Sequence, residues 1–440
     1  MTSGQTLSFQ RSIPVRYEAD VFVAGGGPAG MAAAVTAARQ GCRVVLAEGH
    51  SCFGGMGTAA LVTLFMPFTD GIHFLAGGFG EEIVARARQM DFPIYMNDPH
   101  FVVAVHPEAL KRVYDDLAVE AGITFSFQTQ VIGVESEAGH VSHAICSAKS
   151  GLFAVAARLF IDCTGDGDLA AWAGAPFAKG NEHGAMMPGS LCSLWSDVDW
   201  ERVTAPRFTD ERFLPQAIEE GIFSVPDLHL PGMIRIGRSQ ADGNLVHAFG
   251  VDGTDERSVS QALMDTRRRT EEYRRYYHAY IEGFAVAELV ATGSLAIRES
   301  RRILGDYVLG LEDFKTRASF GDEIGRYNYA VDVHATRPDP DETRRFEAEF
   351  KALRYGKGES YGIPYRILTP RGLDNLLVAG RCVSVDRPML GSIRVMPACF
   401  ITGQAAGMAA ALAVESGVDT RTVDVTSLQH RLRSMGAYLP

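Results

Sequence analysis

Residues Gly25-Gly26-Gly27-Pro28-Ala29-Gly30 form the pattern G-x-G-x-x-G. In such a run the first glycine makes a tight turn, the second lets backbone approach a pyrophosphate, and the third packs helix on strand. The helix N-terminus then faces the phosphate charge. Glu48 follows at the end of the next apolar stretch, Val44 to Ala47. A carboxylate there can bind ribose hydroxyls and disfavours a 2′-phosphate. Glycines alone would be only a turn. The apolar run before them, the small-residue run after them and Glu48 together indicate a dinucleotide site.

Three further glycine segments extend that chemistry. They are Gly54-Gly55-Met56-Gly57-Thr58, Thr164-Gly165-Asp166-Gly167-Asp168, and Leu377-Val378-Ala379-Gly380-Arg381. A dinucleotide that carries an isoalloxazine needs several close backbone approaches, which glycine permits. FAD is therefore expected rather than NAD, and only one complete strand-glycine-helix fingerprint is present. Near the C-terminus, Pro397 suits the first position of a helix. The free N–H groups after it can face a developing negative charge, and Gly403 and Gly407 lie one turn apart for close packing.

On these residues the chain resembles the FAD-dependent oxidoreductases, and more broadly the glutathione-reductase-like and fumarate-reductase-like two-domain flavoproteins. The resemblance runs from about Asp20 to Gly417. Most of its weight lies in Gly391-Ser392-Ile393-Arg394-Val395-Met396-Pro397 and Thr402-Gly403-Gln404-Ala405-Ala406-Gly407. Ile297-Arg298-Glu299-Ser300-Arg301-Arg302, Asp332-Val333-His334 and Ile363-Pro364-Tyr365-Arg366 add to it. It implies that the first glycine motif and Glu48 hold the ADP half and the final strand and helix the flavin end. The expected cofactor set is Gly25, Gly27, Pro28, Ala29, Gly30, Glu48, Gly54, Gly55, Met56, Thr58, Gln130, Val131, Thr164, Gly165, Asp168, Gly380, Arg381, Ser392, Arg394, Gly403, Gln404 and Ala405. Attachment is expected to be non-covalent, because His50 is not at the spacing of flavin-linking histidines.

Proton and anion chemistry is expected from three residues. His334 is the proton-transfer candidate, since histidine titrates near neutrality, and Arg394 and Arg366 are candidates to hold a substrate anion. Arg298 and Arg301 read equally well as a structural ion-pair network. No metal site is expected, because the seven cysteines include no C-x-x-C.

The elements that must position these residues give an α/β fold. The expectation is a Rossmann-like FAD-binding domain with a parallel, three-layer sheet, split in sequence around an inserted mixed α+β substrate or cap domain. The boundaries are 15–175 and 370–440 for the FAD-binding parts and 176–369 for the insertion. Within the insertion, Arg257 to Thr292 reads as helical, and Tyr327 to His334 alternates like a strand, with Asn328, Asp332 and His334 on one face.

The net charge of −11 argues against a nucleic-acid partner, and the arginine cluster Arg267-Arg268-Arg269 reads as a solvated face. No apolar run reaches the length of a membrane span, and the cysteine usage suits a reducing, cytoplasmic setting. The expected activity is hydride exchange between flavin N5 and a small polar substrate, one that can bear a carboxylate. The electron acceptor is oxygen, a quinone or a protein, and oligomers are allowed. A tRNA-modifying flavoprotein and an electron-transfer subunit of a complex are the alternatives.

Overall fold

The computed structural model describes residues 7–90, 95–96, 103–203, 210–351 and 353–440. The elements that build the site are, in order, β1 (Val15–Ala24), α1 (Pro28–Arg39), β2 (Val44–Ala47), α2 (Pro107–Glu120), β3 (Thr124–Ser126), β4 (Gln130–Glu137), β5 (His140–Ala148) and β6 (Gly151–Asp162). There follow β7 (Gly189–Ser196), β8 (Gly232–Arg235), β9 (Ala241–Ala248), α3 (Glu256–Tyr280), β10 (Glu288–Thr292), β11 (Leu376–Val378) and α4 (Met396–Ser416).

Strands β3, β2, β1, β6 and β11 pair in that order, all parallel. Strand β6 is long enough to serve twice. Its first half pairs antiparallel with β5, and its last residues, Phe160 to Asp162, carry β11. The period-two alternation of a strand divides the core. Val21, Val23, Leu46, Ile161 and Leu377 point to the face covered by α1 and α4. Phe22, Ala24, Val45, Phe160 and Val378 point to the face covered by the β4–β5–β6 meander, through Val141, Ala144 and Phe153. The result is three layers: helices, parallel sheet and meander.

Helices α1 and α4 touch backbone to backbone. A Cβ on Gly403 would lie 2.2 Å from the Ala29 carbonyl oxygen, and one on Gly407 equally close to that of Ala33. Helix α4 corrects one expectation. At 21 residues it is long and apolar enough to cross a membrane by composition, and 94% of its most apolar window is buried inside the protein. It reads as a core helix whose small side chains fill the space between α1 and the sheet.

The second sheet has the order β8-β9-β7-β10 and is antiparallel throughout. Helix α3 covers it, with Tyr273, Tyr276 and Tyr277 packed on Leu191, Trp195 and Leu245. Asp255 caps α3 by accepting from the Arg257 and Ser258 N–H groups. The helical stretch expected to run to Thr292 stops at Tyr280. Gly283 adopts a φ of +88°, outside the helical range, and the chain turns back to pair as β10. The N-terminal part also contributes to this region, since Leu64 and Ala104 cluster with Ile234 and Ile236.

The alternating segment Tyr327 to His334 is not a strand. The pairing covers only Glu323–Tyr327, against Tyr361–Pro364, and residues 328–335 are irregular. They cross the short helix Arg387–Ile393 so closely that a Cβ on Gly391 would lie 2.8 Å from the Asp332 nitrogen. Ser392 donates to the Tyr329 carbonyl oxygen there. The alternation therefore reflects packing between a helix and a cavity rather than a sheet.

Candidate active site

A cavity of about 1180 Å³ lies between the glycine turns and the second sheet. That exceeds the roughly 300–1,000 Å³ of ordinary small-molecule pockets. It has room for an extended dinucleotide and a further molecule.

One end is built by the turn after β1. Gly25 has a φ of +88°, and a Cβ there would lie 2.6 Å from the Cys163 carbonyl oxygen. A Cβ on Gly30 would lie 1.8 Å from the carbonyl oxygen of Gly25, so only glycine lets α1 start this close to the strand. No side chain caps α1, and the open side of Gly27 meets no protein atom within 4 Å. Gly25, Gly27, Pro28 and Ala29 line the cavity, so the helix N-terminus faces it. Glu48, also in the wall and only 4% exposed, accepts from the Gly26 N–H through Oε2 and from the His50 N–H through Oε1, each at 2.6 Å. Each oxygen keeps a second lone pair.

Gly55, Met56, Gln130, Val131, Thr164, Gly165, Asp168, Gly380 and Arg381 continue the wall. Behind them a polar network fixes the turn after β6. Thr164 Oγ1 donates to Asp162 at 2.7 Å and accepts from the Asp168 N–H at 3.0 Å. Burial pushes the Asp162 carboxyl up to about 6. Arg301 donates to Asp168 at 2.6 Å, and Arg381 donates to Ser300 at 2.9 Å. The segment Ile297 to Arg302 thus ties the turn after β6 to Ser190 in β7 of the second sheet.

Other expected cofactor contacts stand behind the wall, not in it. Gly30 supports the turn and Gly54 the loop before Met56. Thr58 Oγ1 donates to the Phe53 carbonyl. Ser392 is sealed between Tyr329 and Tyr361. Gln404 bonds the Phe79 N–H and the Gly77 carbonyl oxygen, while Gly403 and Ala405 lie in the buried body of α4. Each of them packs against, or hydrogen-bonds to, the protein behind the wall. Arg366 is also outside: half-exposed, it pairs with Asp322 at 2.9 and 3.2 Å and lies over the Tyr307 ring.

The far end is charged. Arg394 donates to Asp332 Oδ2 at 2.8 Å, and its buried Nε has no hydrogen-bond partner. Arg298 donates through Nη1 to the Pro188 carbonyl and to Ser190 Oγ, at 2.9 and 2.8 Å. Burial, then the nearby Arg394, bring the Arg298 guanidinium down to about 10, so it stays a cation at neutral pH. His334 Nε2 lies 3.4 Å from Asp332 Oδ2. Burial, then the Arg298 charge, push this imidazole well below its ordinary value. The premise that His334 titrates near neutrality does not hold.

Sequence reading passed over several residues of this end: Asp227, His229, Asp242 and His247, with Arg298 left as a structural alternative. All line the cavity. One signal was present, because Asp227-x-His229 repeats the pattern Asp332-x-His334. Asp242 accepts from Thr63 Oγ1 at 2.7 Å, while its Oδ1 has no partner. Burial pushes its carboxyl up to about 7. Cys52 is half-buried and bonded to Thr58, and burial raises its thiol, which leaves it little thiolate character.

A parallel sheet with a glycine turn, an uncapped helix N-terminus, an acid at the end of the second strand and a long cavity define an FAD-binding enzyme. The family description FAD dependent oxidoreductase matches residues 20–432, and the chain belongs to that family. No curated protein matches it by sequence. Among solved structures, p-nitrophenol 4-monooxygenase PnpA from Pseudomonas putida DLL-E4 is 11% identical with a TM-score of 0.50, over 96% of this chain and 90% of that one. The flavin-dependent brominase Bmp2 is 14% identical at a TM-score of 0.48, over 95% and 83%. A geranylgeranyl bacteriochlorophyll reductase-like protein from Thermoplasma acidophilum is 13% identical at 0.47, over 95% and 83%. At 11% identity the likeness to PnpA is one of fold alone. The chain is an FAD-dependent oxidoreductase.

Proposed function

We propose that the enzyme exchanges hydride between FAD and a small carboxylate-bearing molecule held at the arginine end of the cavity. The observation that carries this reading is that Arg298 and Arg394 share one cavity wall with the glycine turns. Arg298 is buried and Arg394 partly so, and both have N–H groups left over from their protein bonds. Arginine presents donors in a fork that matches a carboxylate. Cations in this position favour an anion, and they orient it by fixed geometry rather than by induced contacts.

The cradle of Gly25, Gly27 and the α1 N-terminus would hold the pyrophosphate, and Glu48 the ribose. FAD there supplies a two-electron acceptor or donor at N5. The protein supplies the proton partner. Asp242 lines the same cavity and has one carboxyl oxygen without a partner, and burial pushes its carboxyl up to about 7. A group so poised accepts a substrate O–H or N–H proton as hydride leaves carbon. His334, whose imidazole resists protonation, is left as a binding group.

An anaerobic screen of metabolites for bleaching of the bound flavin tests this reading. Small carboxylates that carry an oxidisable hydroxyl- or amino-bearing carbon are expected to bleach it. Bleaching confined to uncharged compounds, or rapid bleaching by NADH or NADPH alone, overturns it.

A further inference from the structure

Three histidines from separate segments meet in the cavity wall. His229 follows Asp227 in a loop, His247 lies in β9, and His334 lies in the irregular 328–335 segment. The rings of His229 and His247 stack with centroids 5.3 Å apart, and His334 stands edge-on to both at 4.8 and 5.4 Å. One ring nitrogen from each lies within 4.8 Å of the others. A point therefore exists no more than about 2.8 Å from all three, where zinc–imidazole bonds are about 2.0–2.1 Å. Small side-chain rotations close that gap.

We propose that His229, His247 and His334 bind one divalent first-row transition-metal ion, of the zinc or iron(II) class, at the substrate end of the cavity. The ligands differ from ordinary core histidines in how their nitrogens are used. Among the described residues, no hydrogen bond joins any two of the three rings. His247 Nε2 is buried with no partner, while its Nδ1 lies 2.7 Å from Asp227 Oδ2. That carboxylate also accepts from the His229 backbone N–H at 3.0 Å, so it orients two of the ligands. Arg269 Nη1 donates to the His247 carbonyl oxygen at 2.7 Å and holds the strand from behind. A carboxylate on the far nitrogen fixes the tautomer and strengthens the near nitrogen as a ligand.

The electrostatics agree. Two carboxylates lie against the rings, Asp227 Oδ2 at 2.7 Å from His247 Nδ1 and Asp332 Oδ2 at 3.4 Å from His334 Nε2. These two negative charges offset Arg298 and Arg394, so a divalent ion does not enter a purely cationic pocket. Three imidazoles leave a coordination position open, as catalytic rather than structural sites do. The open side is the cavity, where a substrate oxygen held by the arginines can reach it.

This inference goes beyond the hydride reading and does not need it. The test uses the full chain with FAD bound, stripped by a chelator and titrated with Zn(II) by calorimetry and with Co(II) by visible spectroscopy. One equivalent per chain is expected. His247→Ala should weaken binding at least a hundredfold and Asp227→Asn about ten- to a hundredfold, each with flavin absorbance retained. His229→Gln, at a less buried position, serves if His247→Ala fails to fold. No saturable uptake by the wild-type protein, or unchanged affinity in the histidine variants, overturns the site. Because the titration reads no turnover, the flavin-bleaching screen can fail while the metal site stands, and the reverse.

Discussion

Replacing Glu48 by glutamine tests the dinucleotide end with no knowledge of the substrate. Glu48 is 4% exposed and accepts two backbone N–H groups at 2.6 Å. Bonds to a charged acceptor contribute about 1.5–3 kcal/mol each, and an orphaned buried donor costs about 1–3 kcal/mol. In Glu48→Gln one bond survives as a neutral one, and the amide N–H₂ faces the other N–H. The His50 end of the turn is solvent-exposed, so water satisfies part of that loss. We expect a destabilisation of about 2–3 kcal/mol. If Glu48 also accepts from the ribose, FAD affinity falls by about ten- to a hundredfold, since each 1.4 kcal/mol is tenfold. Thermal melts of holoprotein and apoprotein, with fluorescence titration of apoprotein by FAD, separate the two effects. A variant that binds FAD within twofold of wild type and melts at the same temperature would refute the assignment.

Three further outcomes follow from the packing and charges. Gly403→Ala should cost about 1–3 kcal/mol by overpacking, because the new Cβ meets the Ala29 carbonyl oxygen, and it should leave FAD affinity nearly intact. Lost affinity with an unchanged melt would make Gly403 a cofactor contact after all. Arg366→Ala, which removes an exposed pair with Asp322, should cost under about 1 kcal/mol and leave flavin reduction unchanged; a tenfold slower reduction would return Arg366 to the site. Asp242 has a folded-state value of about 7 against an ordinary 3.8, so the folded state holds the extra proton between those values, and stability falls as pH rises through that window. Asp242→Asn has no such slope: its melting temperature should gain on wild type from about pH 4 to 7 and keep the gain above, and a pH-independent difference would count against this.

The glycine turn and the strands and helices around it were legible in the sequence because their signals are local. A four-residue apolar strand, a glycine turn and a small-residue helix each occupy contiguous positions, and β1, α1, β2 and α4 form where those patterns fall. The arginine and histidine end of the cavity was not, because its residues are assembled across the chain. His229, His247 and His334 have no metal-ligand spacing, and Asp242 owes its raised proton affinity to burial. Alternation misled at Tyr327 to His334, where a helix and a cavity impose the same polar–apolar pattern as a sheet. Arg366 looked like Arg394 in sequence; what tells them apart is that Arg366 is half-exposed beside Asp322, whereas Arg394 and its partner Asp332 line the cavity.

The most direct test of the account is anaerobic stopped-flow reduction of the bound flavin by a bleaching carboxylate and by its neutral amide, in wild type and in Arg298→Met. The acid should reduce wild type, and the amide should need at least tenfold higher concentration, in line with the loss of a charge-assisted bond. Arg298→Met should keep its flavin and lose most of that preference for the acid. Equal reduction by acid and amide in wild type, or an undiminished preference in Arg298→Met, would contradict an anion site at the arginine end of the cavity.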